Sequence, residues 1–194
     1  MAEPPLAPVI VVGCTKGGIG RTALAVNLAA MLALAGKRTL LVDLDGKGDA
    51  TASVGLPRSR RGKSLARYSE PWSFLKDTFN APRPPGLDVW PGGPAIERIQ
   101  AELAESGDAH HLDRGLEQAR RRYRAIVIDA PSDLGPVART ALASGDCLLI
   151  PMSPAAHHEE AVNETIRAAL AEKERFAVYG VRIESRARLQ GDED

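Results

Sequence analysis

Cysteine and histidine are scarce. The two cysteines, Cys14 and Cys147, and the four histidines show no Cys-x-x-Cys spacing and no thiol with a histidine at ligand distance, which argues against a zinc or iron–sulfur site. His110-His111 and His157-His158 are adjacent pairs whose side chains point about 100° apart on a helix, so neither chelates by itself and both are expected to be solvated. Net charge is absent as well: 25 basic residues balance 25 acidic ones. That excludes capture of nucleic acid through bulk charge and leaves only local basic clusters. Long apolar runs are missing, so no membrane-spanning helix is expected. Residues 1–8 (MAEPPLAP) lack the basic and apolar regions of a secretory signal, and a cytoplasmic location is expected. Aromatic residues make up 4%, with a local concentration at Tyr68, Trp72, Phe74 and Phe79.

What remains describes a globular protein. At 194 residues, 44% hydrophobic and 26% charged, one domain over 1–194 is expected, with disordered tails at 1–7 and 188–194. The most informative stretch is VIVVGCTKGGIGRTALAVNLAAML, where the apolar run Val9 to Val12 empties into a glycine-rich turn that opens an Ala/Leu-rich helix. Gly17, Gly18 and Gly20 have no Cβ, so their backbone N–H groups can approach an anion closely, and the helix aims its positive end at the same point. Thr22, in the first turn, is placed to put its hydroxyl on a magnesium ion. A glycine-rich loop alone would also suit an ordinary strand-to-helix turn. Three glycines, two cations and a threonine in register favour a phosphate cradle.

Strand-like and helical patterns alternate along the rest of the chain. The helix over 22–35 has its apolar spacing at Leu24, Leu28, Met31 and Leu32 and stops at Gly36. Strand 39–42 follows, ending in Asp43 and Asp45 within LLVDLDGKGDAT. Residues 57–86 read as a loop and a short helix carrying the basic cluster Arg58, Arg60, Arg61 and Lys63. Strand 87–90 precedes helices at 95–106 and 110–122, the second ending in Arg120-Arg121-Arg122 with Arg124 beyond. YRAIVIDAPSDLG is a strand terminating in Asp129, whose carboxylate suits a metal shell. Helix 136–144, strand 146–151, a helix over 158–174 and a strand over 176–183 complete the pattern, with Arg182, Arg186 and Arg188 as a third basic group. The alternation predicts a three-layer α/β fold with a mainly parallel sheet, in which the acids at strand ends share an edge with the glycine-rich loop.

Lys16-Gly17-Gly18-Ile19-Gly20-Arg21-Thr22 resembles the deviant Walker A motif, K-G-G-x-G-K-[ST], of the ParA/MinD family of P-loop ATPases, with Arg21 in place of lysine. Gly46-Lys47 departs from the Pro-Gln of that family's D-x-D-P-Q-x-x-x-T segment. GLDVWPGG, the Asp129 strand and the proline-flanked stretch around Pro151 and Pro154 are similar to later family blocks. The resemblance implies a P-loop NTPase fold, ATP and Mg2+ as ligands, and an ATP-sandwiched homodimer. It assigns Lys16 to the partner's phosphates, Arg21 to the β/γ-phosphates, Gly17, Gly18 and Gly20 to the cradle, and Pro151 and Pro154 to the neighbourhood of the adenine. Thr22, Asp43 and Asp129 fall to the metal, and Asp45 to the attacking water.

Two functions are consistent with that resemblance. One is a slow dimerising ATPase that segregates or positions DNA or another cargo on the nucleoid, with non-specific DNA and a DNA-binding or cargo-adaptor protein as partners. The other is a nucleotide-binding switch that does not hydrolyse ATP. A MinD-like membrane role is disfavoured because RLQGDED is no amphipathic basic helix.

Overall fold

The computed structural model describes residues 5–56, 78–82, 84–152, 159–173 and 176–182. Seven strands are described: β1 (Val9–Val12), β2 (Thr39–Asp43), β3 (Phe79–Asn80), β4 (Leu87–Trp90), β5 (Ala125–Asp129), β6 (Cys147–Met152) and β7 (Ala177–Arg182). The described helices are α1 (Arg21–Leu34), α2 (Asp49–Ser53), α3 (Ala95–Ser106), α4 (His111–Arg122), α5 (Pro136–Ser144) and α6 (Glu159–Glu172).

The strands form one sheet in the order β3-β4-β2-β5-β1-β6-β7. Every pair is parallel except β3 with β4. The inner strands are apolar on both faces because helices cover both. On one side, α1 and α2 pack Ala25, Ala29, Ala33, Ala50 and Val54 against Leu41, Val89 and Val127. On the other, α3 to α6 pack Ile99, Leu112, Leu116, Val137 and Ala169 against Val11, Leu40, Ile126 and Leu148. The three-layer α/β fold is as the sequence implies.

Three local features differ from the sequence reading. The buried stripe of α1 is Ala25, Ala29 and Ala33, whereas Met31 is 67% exposed; residues four apart share a face, and alanines there let the helix lie close to the sheet. The short elements α2 and β3 carry too few residues to show a period. Ala7, within the stretch read as a tail, is buried, and its N–H donates to the Arg120 carbonyl at 2.9 Å.

Candidate active site

β1 lies between β5 and β6, whereas β2 lies beyond β5. The chain therefore leaves β1 at the point where successive connections run in opposite directions, where a parallel sheet opens a crevice at its carboxyl edge. The glycine-rich loop fills that position. Gly18 and Gly20 take φ values of 74° and 89°, a left-handed conformation that favours glycine. The backbone N–H groups of Gly17, Gly18 and Gly20 donate to no acceptor among the described residues, and α1 has no side-chain cap at Gly20. Unpaired amides at an uncapped helix N-terminus suit an anion.

The entry to this loop is held by α6. The Thr15 N–H donates to Thr165 Oγ1 at 3.1 Å, and the Thr15 hydroxyl donates to the Ala161 carbonyl at 3.3 Å. Thr165 is buried and also donates to that carbonyl, at 2.6 Å. Lys16 follows directly and is exposed.

Two strands bring carboxylates to the same edge. Asp43 and Asp129 are register partners at the ends of β2 and β5, and Asp129 is also paired with Val12, the last residue of β1. Their surroundings differ. Asp43 is fully buried and accepts from the Asp45 N–H at 3.1 Å, the Thr51 N–H at 2.8 Å and the Thr51 hydroxyl at 2.6 Å. Burial nevertheless pushes it above the usual carboxylate range, against the hydrogen bonds from Thr51. Both oxygens of Asp129 are buried without a formed hydrogen bond among the described residues. Burial, and next the Asp43 charge, push Asp129 up to about 7, while the nearby Thr22 hydroxyl and Arg21 guanidinium pull it down. A buried, unsatisfied carboxylate beside a threonine hydroxyl is a donor set that suits a hard divalent cation.

Arg21 is buried and its Nη1 donates to the Ala130 carbonyl at 3.1 Å. Its guanidinium is thereby tied to the residue after Asp129. Asp45 is half-buried, and its Oδ1 accepts the Lys47 N–H at 2.9 Å. It lines a cleft of about 330 Å3 with Lys47, Glu97, Gln100, Ser132 and Asp133.

A family model described as "AAA domain" matches residues 7–175. The chromosome-partitioning ATPase Soj of Thermus thermophilus is 37% identical over 139 residues, covering 71% of this chain and 51% of that protein. The sporulation initiation inhibitor protein Soj of Bacillus subtilis is 32% identical over 148 residues, covering 76% of this chain and 58% of its own length. The chain belongs to the ParA/MinD family of P-loop ATPases. It spans about half the length of these curated relatives. A cobyrinic acid a,c-diamide synthase from Mycobacterium smegmatis, solved with ADP and magnesium, superimposes with a TM-score of 0.81 at 22% identity, over 91% of this chain and 74% of that one. At that identity it speaks to the fold.

In this ParA/MinD chain the structure brings Gly17, Gly18, Gly20, Arg21, Thr22, Asp43, Asp45 and Asp129 to one sheet edge. Pro151 is buried within β6. Pro154, the cluster Arg58, Arg60, Arg61 and Lys63, and Arg186 and Arg188 lie outside the described residues. The α4 cluster is corrected in one member: Arg120 bonds Asp146 at 2.8 Å and the Ser144 carbonyl at 2.9 Å, so it braces the fold. His111 is likewise only partly solvated, lying 3.6 Å from Asp108. Sequence reasoning missed Thr15, Thr165, Thr51 and Gly92. For Thr51 a signal existed, the threonine closing the D-x-D-P-Q-x-x-x-T pattern; Thr165 sits in a helix with no motif.

Proposed function

We propose that this chain binds ATP with Mg2+ at the β1–α1 loop, forms a homodimer on the nucleotide and hydrolyses it slowly, and so segregates or positions DNA or another cargo on the nucleoid. The observation that carries this reading is the unsatisfied Asp129 carboxylate at the sheet edge that holds the unpaired amides of Gly17, Gly18 and Gly20. In it, the Gly18 and Gly20 amides donate to phosphate oxygens, and exposed Lys16 reaches the phosphates of a second copy. Thr22 and Asp129 hold the cation, Asp129 through a water, and Asp43 supports them. Asp45 orients the attacking water and Arg21 neutralises the β/γ-phosphates. The bound cation would supply positive charge against the phosphate oxygens. Pro151 and Pro154 belong to the adenine side of the site. The chromosome-partitioning role of the Thermus thermophilus Soj supports the cargo assignment, with non-specific DNA and a DNA-binding or cargo-adaptor protein as partners in the cytoplasm. No described helix is long and apolar enough to cross a membrane.

A second reading, in which ATP sets the oligomeric state without turnover, is favoured by the Arg21 bond to Ala130. Phosphate release over a long incubation, with and without DNA, together with light scattering in ATP, separates the two. Dimerisation with release that DNA accelerates, and loss of the dimer in Lys16→Ala, supports the ATPase. A dimer without release selects the switch, and absence of both overturns each reading.

A further inference from the structure

Thr51, on α2, is fully buried and its hydroxyl is used in both directions. It donates to Asp43 Oδ2 at 2.6 Å and accepts from the Gly92 N–H at 2.9 Å. The Thr51 N–H reaches the same Oδ2 at 2.8 Å, and Asp43 Oδ1 accepts the Asp45 N–H at 3.1 Å. The segment from Asp43 to Thr51 is thereby closed end to end, with Asp45 bonded to the closing carboxylate. Gly92 packs against it from the end of β4: a Cβ there would lie 2.5 Å from Asp43 Cγ and Oδ1 and 2.7 Å from the Asp45 carbonyl. Asp45 is also held locally, its Oδ1 by the Lys47 N–H at 2.9 Å and its carbonyl by the Gly48 N–H at 3.0 Å; the Thr51 closure anchors that turn to the end of β2.

We infer that Thr51 is a positioning residue for Asp45: through Asp43 it fixes where the Asp45 carboxylate stands, and through Gly92 it ties that position to the turn leading into α3. This rests on the reading of Asp45 as the group that orients the attacking water. A water-orienting carboxylate has to be held to within a fraction of an ångström, and small misplacements cost rate far more than binding. The α3 residues Ile96, Glu97 and Gln100 line the same cleft as Asp45, with Pro131 to Asp133 as its third side, so one hydroxyl is bonded to the supports of two of the three segments that line it. Valine copies the shape of threonine but can neither donate nor accept; serine keeps both functions.

The test compares Thr51→Val, Thr51→Ser, Asp45→Ala and the double variant Thr51→Val/Asp45→Ala in the full chain. Single-turnover hydrolysis, ATP titration and amide hydrogen exchange of the protein without nucleotide are measured on each. Thr51→Val is expected to slow hydrolysis about 10-fold, with ATP affinity changed by less than about 2-fold. Exchange at the Asp45 and Gly92 amides should quicken by about 10-fold or more as their acceptors are removed or loosened. Thr51→Ser should recover both, and Thr51→Val should cost nothing further once Asp45 is alanine. A full rate in Thr51→Val, or an equal loss on top of Asp45→Ala, overturns the inference. So does a Thr51→Val protein that no longer melts cooperatively, because the hydroxyl then serves the fold. Full turnover in Asp45→Ala alone instead overturns the reading of Asp45 and the inference with it, a result distinguishable because Thr51 is intact there.

Discussion

The Arg21 guanidinium donates to the carbonyl of Ala130, 3.1 Å away and buried, so the cation of the phosphate loop is bonded to the residue directly after Asp129. Arginine offers a planar fork of donors, one of which this carbonyl holds; lysine carries a compact charge that can follow a phosphate as its charge develops. Arg21→Lys is therefore expected to raise the single-turnover rate with little change in ATP affinity, because only interactions stronger in the transition state raise turnover. Losing the buried hydrogen bond should lower unfolding stability by about 1 kcal/mol. Single-turnover hydrolysis, equilibrium titration and a urea melt check this; a rate that falls or stays level would mean that the loop is adapted to arginine.

Asp129 gives the protein a pH dependence of stability. Its carboxyl is pushed up to about 7 in the fold, against about 4 in an unfolded chain, so the native state binds the proton more tightly. The contribution is fully present below about pH 4 and is lost as pH rises through about 7. Asp129→Asn should remove this decline, so the stability difference between variant and wild type grows from about pH 4 to about pH 8 in metal-free buffer. Urea unfolding across that range measures it, and parallel curves would assign the pH dependence to other groups.

Asp88 is the polar hub of the opposite sheet edge. It is 4% exposed and accepts from Arg38 Nη2 and from the Tyr123 hydroxyl, each at 2.9 Å, and from the Asn80 side-chain amide. Arg38 also lies over the Tyr123 ring, 5.3 Å from its centroid. Burial, and then the bond to Asp88, push the Tyr123 hydroxyl up to about 12. Asp88→Ala strands these donors and should cost about 3 kcal/mol of stability, with ATP affinity in the cold unchanged because the site lies at the other end of the strands. Loss of nucleotide binding in a protein that still melts cooperatively would contradict that separation.

At that same edge Lys37, Arg122 and Arg124 are exposed and form no ion pair among the described residues. The Arg124 N–H donates to the Arg38 carbonyl at 2.7 Å, which sets the α1–β2 and α4–β5 links side by side. If DNA is bound there, replacing the three cations by glutamate should weaken duplex binding regardless of sequence. The salt dependence should flatten by about 0.9 in logarithmic slope for each phosphate that is no longer neutralised. DNA-independent ATP hydrolysis should be unaffected. Unchanged binding at several salt concentrations would move the DNA-binding surface elsewhere.

The parts of the fold that could be read in the sequence are those with a strong period or a constrained spacing. Helices α3 and α5 and strand β4 fall where their patterns end, because glycine or proline stops each one. The site edge was readable for a related reason: apolar strands that end in carboxylates mark the carboxyl edge of a parallel sheet, where Asp43 and Asp129 stand side by side, both buried. What stayed hidden was partnership across distance. Nothing in the neighbourhood of Thr165 says that it will meet Thr15, and nothing near Gly92 says that Asp43 will fill the space where its Cβ would go. The behaviour of Arg21 was also hidden, since a guanidinium can face a phosphate or a carbonyl and the motif specifies only its charge.

The placing of β1 has a consequence for synthesis. Its two sheet neighbours are β5 and β6, with Val9 opposite Ile126 and Ile10 opposite Cys147. Each pairing closes a loop of most of the chain, the slow kind of pairing in folding. As the chain leaves the ribosome, Val9 to Val12 is an apolar ribbon with nothing to pair with until β5 has emerged, and it needs β6 to cover its second edge. The phosphate loop thus acquires its floor only late in synthesis, and ATP cannot help the nascent chain before then. Mutations that weaken β6 should show first as lower soluble yield, before any change in the nucleotide chemistry of the molecules that do fold.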